Sequence, residues 1–276
     1  MWSLLEFFPD LPTIEILDVG AAIGESPSYQ PLVDAGKAHI TGFEPNAEEC
    51  RRLNEAYGGT HRFYPHFVGD GQPAVFHETN WVLTGSLLEP NTPLLEKFQN
   101  LNELTTLVAK HPVNTVRLDD LPDLGSIDFI KIDIQGGELA VFQNALRVLA
   151  GTLVIQTEVE FVEMYKKQPM FADVDIFLRD RGFQFHTFTG FGMRAFKPMI
   201  VGGNINMGLR QYLWSDALYV RDWLALDYLS ENKLKKLAVI ANDIISSFDL
   251  THLVLETLDR QAKTDYASRY IQIKCG

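Results

Sequence analysis

An α/β fold built on an open, mostly parallel sheet is what the sequence predicts, and three stretches predict it. Residues 16–19 are an apolar run carrying one acid, Asp18, that breaks into the turn Gly20-Ala21-Ala22-Ile23-Gly24, the pattern of a strand bending tightly into a helix start. Residues 38–43 read as a second strand with Glu44 directly behind it; that is about 20 residues past the last glycine, where a nucleoside-binding βαβ unit carries its acid. Residues 127–132 are the strongest strand signal in the chain and deliver Asp133 at their carboxyl end, before Gly136-Gly137-Glu138 opens a helix that the pattern carries to Leu149. In an open parallel sheet the carboxyl ends of the strands face the ligand crevice, so all three stretches direct chemistry to one edge.

Gly20 and Gly24 let the backbone turn and let a ligand approach the main chain. A dinucleotide fingerprint needs a glycine where Ala22 stands, and Asp18 sets a carboxylate where a pyrophosphate would sit. That carboxylate repels phosphate and attracts ammonium. A ligand with adenosine, an α-amino group and no phosphate answers the description, and S-adenosylmethionine is that ligand. Glu44 is placed to accept from both ribose hydroxyls. An NAD-dependent oxidoreductase is the rival reading, and Asp18 and Ala22 weigh against it.

Length and composition fit this frame. The 276 residues suit one large domain or a domain with appendages, and 46% hydrophobic content supplies a sizeable core. A net charge of -12 without a basic stripe excludes nucleic acid and anionic membrane surfaces as partners. Cys50 and Cys275 are too few and too far apart for a disulfide scaffold or a zinc cluster. The first residues lack a basic leader and are broken by Glu6 and Pro9, and no later run reaches membrane-spanning length free of charge. A soluble, cytoplasmic protein is expected, its first dozen residues forming a short helix against the core.

The remaining elements follow in order. Pro45 starts a helix that residues 46–57 continue and Gly58-Gly59 stops. Residues 61–68 are a third strand, closed by Gly69-Asp70-Gly71; Asp70 reads either as half of a common turn pair or as an acceptor for the adenine amino group. Residues 73–78 and 113–118 are two short strands around a helical stretch, 93–109, and Thr84-Gly85-Ser86-Leu87 between them is a loop or a cap over the cofactor. Asp133 reads as a helix cap or a site residue, and its position at a strand's carboxyl end favours the site; Glu138 falls in the first helical turn, where an acid also suits the dipole.

Five blocks carry a family resemblance. Asp18-Val19-Gly20-Ala21-Ala22-Ile23-Gly24, Phe43-Glu44-Pro45-Asn46, Gly85-Ser86-Leu87, Val116-Arg117-Leu118-Asp119-Asp120-Leu121 and the run 127–138 resemble the ordered motifs of FkbM-type S-adenosylmethionine-dependent methyltransferases. The resemblance covers most of residues 14–222. It departs at Gln135, where the family usually has the Glu of an Asp-Val-Glu-Gly block, so no base is assigned there. It implies a Rossmann-like class I methyltransferase fold: a seven-stranded, mostly parallel sheet with the last strand antiparallel, whose final three strands are residues 153–157, 183–187 and 217–220. It also implies methylation of hydroxyl groups on sugars, polyketides and related secondary metabolites, that is, a small-molecule or glycan acceptor. An N-methyltransferase of the same fold and a non-catalytic binding module are the alternatives. The cofactor contacts are then Asp18, Gly20, Ala21, Gly24, Glu44, Asn46, Asp70, Ser86 and Asp133.

In that topology the connection 188–215 begins and ends over the crevice, and its length predicts a substrate lid. Phe188, Phe191, Met193, Arg194, Phe196, Tyr212 and Trp214 give it contact groups, and Glu158, Glu160, Phe161 and Tyr165 arrive on the same face after the fifth strand. The acceptor hydroxyl has to lose its proton, and Asp133, Glu158 and His77 are the candidate bases. A magnesium-assisted mechanism would need several converging oxygens, and no recognisable metal-ligand pattern is present in the sequence. Residues 1–222 therefore form the methyltransferase domain, and 223–276 a C-terminal helical extension whose apolar periodicity over 231–248 suits packing on the domain, with a homodimer interface as the alternative.

Overall fold

The computed structural model describes residues 2–21 and 27–275; Gly24 and Ala22 lie outside the described residues. The chain runs β1 (Ile14–Val19), α1 (Gln30–Asp34), β2 (Ala38–Phe43), α2 (Ala47–Tyr57), β3 (Arg62–Tyr64), β4 (Phe67–Val68), β5 (Pro73–Thr79), α3 (Thr92–Leu95), α4 (Leu101–Leu104) and β6 (Leu107–Val116). It continues through β7 (Phe129–Ile132), α5 (Glu138–Gln143), α6 (Leu146–Gly151), β8 (Val154–Glu160), α7 (Phe171–Arg179), β9 (Phe183–Met193), β10 (Tyr212–Arg221), α8 (Glu231–Val239), α9 (Phe248–Ala262) and α10 (Tyr266–Cys275). Seven strands form one sheet in the order β3-β2-β1-β7-β8-β10-β9. Its first five are parallel neighbours, and β10 inserts antiparallel to both β8 and β9. This is the expected class I methyltransferase topology.

Alternation along the strands divides the core in two. Ile14, Ile16, Phe129 and Val154 point to one side, where Leu234, Leu237, Ala238, Val254 and Leu258 of α8 and α9 cover them. Leu17, Val19, Ile130, Ile132 and Ile155 point to the other, against Val141, Phe142, Leu149 and Leu178. The C-terminal extension is thus one wall of the sheet, each fully buried Leu or Ile contributing about 1.5–3 kcal/mol. Lys233 and Lys236, which as a short basic face would merely be solvated, instead clasp the 1% exposed Asp128 at 2.7 and 2.6 Å. The N-terminal turn expected against the core is present at Leu4–Phe7.

Four sequence expectations are corrected. The stretch 61–68 is not one strand: Pro65, which has no N–H to offer a ladder, separates β3 from β4, and β4 joins a second sheet of order β4-β6-β5. The helical stretch 93–109 is two short helices, broken where Asn100 takes φ 56°, and its end belongs to β6. The helix from Glu138 stops at Gln143, where the Asn144 side chain donates back to Ala140 O at 2.9 Å, and restarts as α6. The pattern over 231–248 is α8 followed by a wide π turn, Ile240–Ile244. Among the described residues no helix is long and apolar enough to cross a membrane.

Candidate active site

The face of the sheet that packs on the C-terminal helices changes from apolar to polar as the parallel strands approach their carboxyl ends. Beyond Ile16, Phe129 and Val154, the same alternation places Asp18, Lys131 and Gln156 in one register row, with Glu158 and Asp216 paired across β8 and β10 next to it. Asp18 is 4% exposed; its Oδ2 accepts from Tyr29 Oη, while Oδ1 lies 3.6 Å from Lys131 Nζ and has no hydrogen-bond partner among the described residues. Burial alone would lower the Lys131 pKa, but Asp18, Asp133 and Asp216 together hold it above its ordinary value. Gln156 donates to Asp216 Oδ2 at 3.0 Å and accepts from Ser28 Oγ at 3.1 Å.

Asp133 continues the β7 alternation, and its N–H still bonds Val19 O at 3.0 Å. Gly20 is required beside it: at φ 86° a Cβ on Gly20 would lie 2.1 Å from the Asp133 carbonyl oxygen. The turn after β1 and the end of β7 therefore touch through backbone. Two residues on, Gln135 sits at φ 60° in the left-handed region, which costs a non-glycine residue about 1 kcal/mol or more. Its side chain repays that strain. Nε2 donates to Asp133 Oδ1 and to Glu158 Oε2, each at 2.8 Å. Tyr165 Oη lies 3.0 Å from Gln135 Oε1 and 2.9 Å from Thr84 O, and Ser86 Oγ donates to Gln135 O at 2.7 Å.

Around this amide four carboxyl groups gather. Glu158 and Glu160 share one side of β8 and are 7% and 2% exposed. Burial, then the charges of Asp133 and Glu160, push the Glu158 pKa well above the carboxylate range; burial, then Glu138 and Asp133, do the same to Glu160. Glu138, whose Oε1 accepts Ile134 N–H at 2.8 Å, is pushed up to about 7, chiefly by burial. Carboxyl oxygens of Asp133, Glu138 and Glu158 all lie within 4.8 Å of one another.

The other sequence candidates are distributed around this centre. Glu44 stands at the end of β2, its Oε1 accepting Asn46 N–H at 2.7 Å, and burial raises its pKa. Asn46 caps α2, accepting from the backbone of Glu48 and Glu49 at 3.0 and 3.1 Å, so its side chain serves the helix. Ala21 is buried, with its N–H on Phe43 O. Asp70 is held in its turn, accepting from Gln72 N at 2.9 Å. Ser86, in the turn read as a loop or a cap over the cofactor, donates its hydroxyl to Gln135 O. His77 pairs through its backbone with Ser86, but the charges nearest its ring are Lys110, Glu89 and Lys166; burial first and Lys110 second lower its pKa. Among the described residues no hydrogen bond or ion pair joins His77 to these four carboxyl groups, and its buried Nδ1 has no hydrogen-bond partner.

The connection 188–215, expected to form a substrate lid, is strand at both ends, since β9 runs to Met193 and β10 starts at Tyr212. The aromatics of 188–215 divide. Phe188, Phe191 and Tyr212 join Phe161, Phe171 and Phe185 in a ring cluster, with Phe191 stacked on Tyr212 at 4.2 Å; Phe161, Phe171, Phe185 and Phe188 lean on the core of the opposite sheet face. Trp214 instead pairs in register with Glu160, on the carboxylate side, and is seated over Gly192, where any Cβ would meet the indole at 1.9 Å. The Arg194 guanidinium lies 5.4 Å from its ring centroid. Sequence reading left out Tyr29 and Lys131, and noted Gln135 only as a departure from the family pattern; for Lys131 the signal was present, a lysine within an otherwise apolar strand.

These residues fit S-adenosylmethionine on structural grounds. The buried Asp18 Oδ1, which has no hydrogen-bond partner among the described residues and meets Lys131 only at 3.6 Å, suits an ammonium, the glycine at position 20 keeps the mouth of β1 clear, and Glu44 is fixed at the end of β2 where a ribose acid belongs.

Comparison with known proteins gives the family. The model described as "Methyltransferase FkbM domain" matches residues 18–185. The chain is 31% identical over 188 residues to 2-O-methyltransferase NoeI of Sinorhizobium fredii (strain NBRC 101917 / NGR234), across 63% of this chain and 73% of that protein. Among solved structures, magnesium protoporphyrin IX methyltransferase from Synechocystis PCC 6803 aligns with a TM-score of 0.40 at 14% identity, covering 79% of this chain and 74% of its own. The 23S rRNA methyltransferase ErmE aligns at 0.37 and 12%, covering 91% and 78%. A family match reaching from the first strand to β9 leaves one conclusion: the chain belongs to the FkbM family of S-adenosylmethionine-dependent methyltransferases.

Proposed function

We propose that the protein transfers a methyl group to a hydroxyl of a sugar, polyketide or related secondary metabolite, and that transfer takes place beside Asp133 and Glu158. The observation that carries this reading is the pair of carboxylates joined by one amide at the carboxyl ends of β7 and β8. The likeness to a 2-O-methyltransferase supports oxygen as the accepting atom.

S-adenosylmethionine supplies an electrophilic methyl on its sulfonium. The protein's own part is to hold the acceptor oxygen close and in line, and to take its proton. Asp18, Gly20, Ala21 and Glu44 would hold the cofactor. Asp133 or Glu158 accepts the acceptor's proton; burial raises the Glu158 pKa, which strengthens Glu158 as a base once it is ionised. Gln135 fixes both carboxyl groups by donating to each, and Trp214 offers an apolar face for the acceptor ring on the Glu160 side. The net charge of -12 supports a neutral or cationic acceptor rather than nucleic acid, and an intracellular, cytoplasmic setting supplies the cofactor.

The test is transfer of labelled methyl to a panel of monosaccharides, glycosides and hydroxylated polyketides, with the product bond mapped by mass spectrometry. Label on oxygen supports the reading. Label on nitrogen would replace it with the N-methyltransferase alternative.

A further inference from the structure

We propose that Asp133, Glu138 and Glu158 hold a hard divalent cation, Mg2+ or Mn2+, that binds the acceptor hydroxyl at the methyl-transfer centre; the proposal deepens the O-methylation reading and rests on it. Three carboxyl groups from three different places in the chain, the end of β7, the first turn of α5 and the end of β8, offer oxygens within 4.8 Å of one another. Oxygens around such an ion lie on the order of 3 to 4 Å apart, so side-chain rotation alone closes the set. All the donors are carboxylate oxygens, which select Mg2+ or Mn2+ over softer metals.

A second observation points to a ligand independently of the three. Glu160 is 2% exposed, and its Oε1 is buried with no hydrogen-bond partner among the described residues. It projects from the same side of β8 as Glu158, two residues further along the strand, with the Gln168 amide as its other side-chain neighbour. Among the described residues no lysine or arginine forms an ion pair with any of the four; Lys131, on which the Asp133 charge acts, is paired with Asp18. Glu138, Glu158 and Glu160 are withdrawn from water, where carboxylates repel one another strongly unless a cation or shared protons stand between them. Gln135 contributes one donor to Asp133 and one to Glu158, which neutralises neither.

With the ion in place, the acceptor oxygen binds it and its O–H becomes more acidic. The O–H bond breaks with its proton passing to a carboxylate oxygen of the cluster, the O–CH3 bond forms as the S–CH3 bond breaks, S-adenosylhomocysteine leaves, and the metal is unchanged. An acceptor with neighbouring hydroxyls, as in a sugar, would bind through two oxygens.

The experiment uses the full chain stripped with a chelator. Mn2+ is titrated and the free aquo ion followed by electron paramagnetic resonance, while S-adenosylhomocysteine binding is measured by calorimetry on the same sample. One Mn2+ per chain, competed by Mg2+, is expected. Glu158→Gln and Glu138→Gln should each weaken it about tenfold or more, the scale on which losing one charged ligand alters affinity, and the surface change Glu55→Gln should leave it unaltered. Asp133→Asn provides a third variant if Glu138→Gln lowers the melting temperature. Folded protein that binds S-adenosylhomocysteine but no Mn2+ overturns the metal site and leaves the methyltransferase reading standing, as shared protons would then neutralise the cluster. Mn2+ binding equally strong in the Gln variants also overturns it. One bound Mn2+ lost in the variants, without S-adenosylhomocysteine binding, upholds the site and overturns the cofactor placement.

Discussion

Gln135 donates its side-chain N–H to Glu158 Oε2 at 2.8 Å across the gap between β7 and β8. The same nitrogen reaches Asp133, so the position at which the family usually carries Glu is here a donor between two acids rather than a third acid. Gln135→Glu would replace that donor with a like charge in a half-buried setting. Without added metal the variant should lose about 1–3 kcal/mol of stability in denaturant unfolding, the scale for a broken buried hydrogen bond, while keeping S-adenosylhomocysteine affinity. Unchanged stability would mean that the amide does not bridge the two carboxylates.

Glu44→Ala should weaken S-adenosylhomocysteine binding by about 1–3 kcal/mol, since ribose hydroxyls would lose their acceptor. Glu44 lies at a strand end, so the melting temperature should change little. Calorimetry checks the first expectation and thermal unfolding the second; full affinity in a folded variant removes Glu44 from the ribose site.

Asp128 anchors the C-terminal helices. Asp128→Ala leaves Lys233 and Lys236 without their buried partner and strips Glu15 N of its acceptor, which should cost about 3 kcal/mol or more. Chemical denaturation measures this. Because Asp128 begins the strand and Asp133 lies beyond its far end, cofactor affinity should be nearly unchanged at temperatures where the variant is folded. A loss below 1 kcal/mol would return the two lysines to the solvated role that composition alone suggests.

His61 gives the fold a pH dependence of known sign. Its Nδ1 accepts Ile40 N–H at 3.1 Å, which only the neutral ring can do, and burial, with His39 stacked beside it, keeps its pKa below the ordinary 6.5. As pH falls the unfolded chain therefore takes up this proton before the folded one. The contribution is complete above about pH 6.5 and is lost progressively below it, until the folded ring also protonates. Besides His39, which itself meets Glu15, the ring faces Tyr57. Unfolding free energies measured across this window should decline more steeply in the wild type than in His61→Gln; equal slopes would show that His61 is not responsible.

Much of this was legible before the structure. The seven-stranded sheet with its antiparallel strand is what the family resemblance implied, and Asp18, Glu44 and Asp133 were placed at strand ends because strand length is written in apolar runs. Glu138 and Glu160 were visible only as a helix-start acid and a strand-end acid. Their meeting depends on Gly136 and Gln135 adopting positive φ, which turns the chain back on β8, and no local pattern announces that. The second sheet was blurred for a similar reason: Pro65 and the left-handed Asn100 are single-residue breaks inside otherwise continuous patterns. Which aromatics of 188–215 face which side was not legible, because β10 shifts register between Tyr212 and Asp216.

The central claim is that methyl transfer takes place at the Asp133–Glu158 pair, and turnover of Asp133→Asn at measured cofactor affinity tests it most directly. Asparagine preserves size and can still cap the following turn. The account predicts S-adenosylhomocysteine affinity close to wild type, a melting temperature within a few degrees, and methyl transfer lower by about 10²-fold or more, the usual scale of a proton-transfer contribution. Near-normal turnover in that variant, and again in Glu158→Gln, would contradict it and move the chemistry away from this cluster.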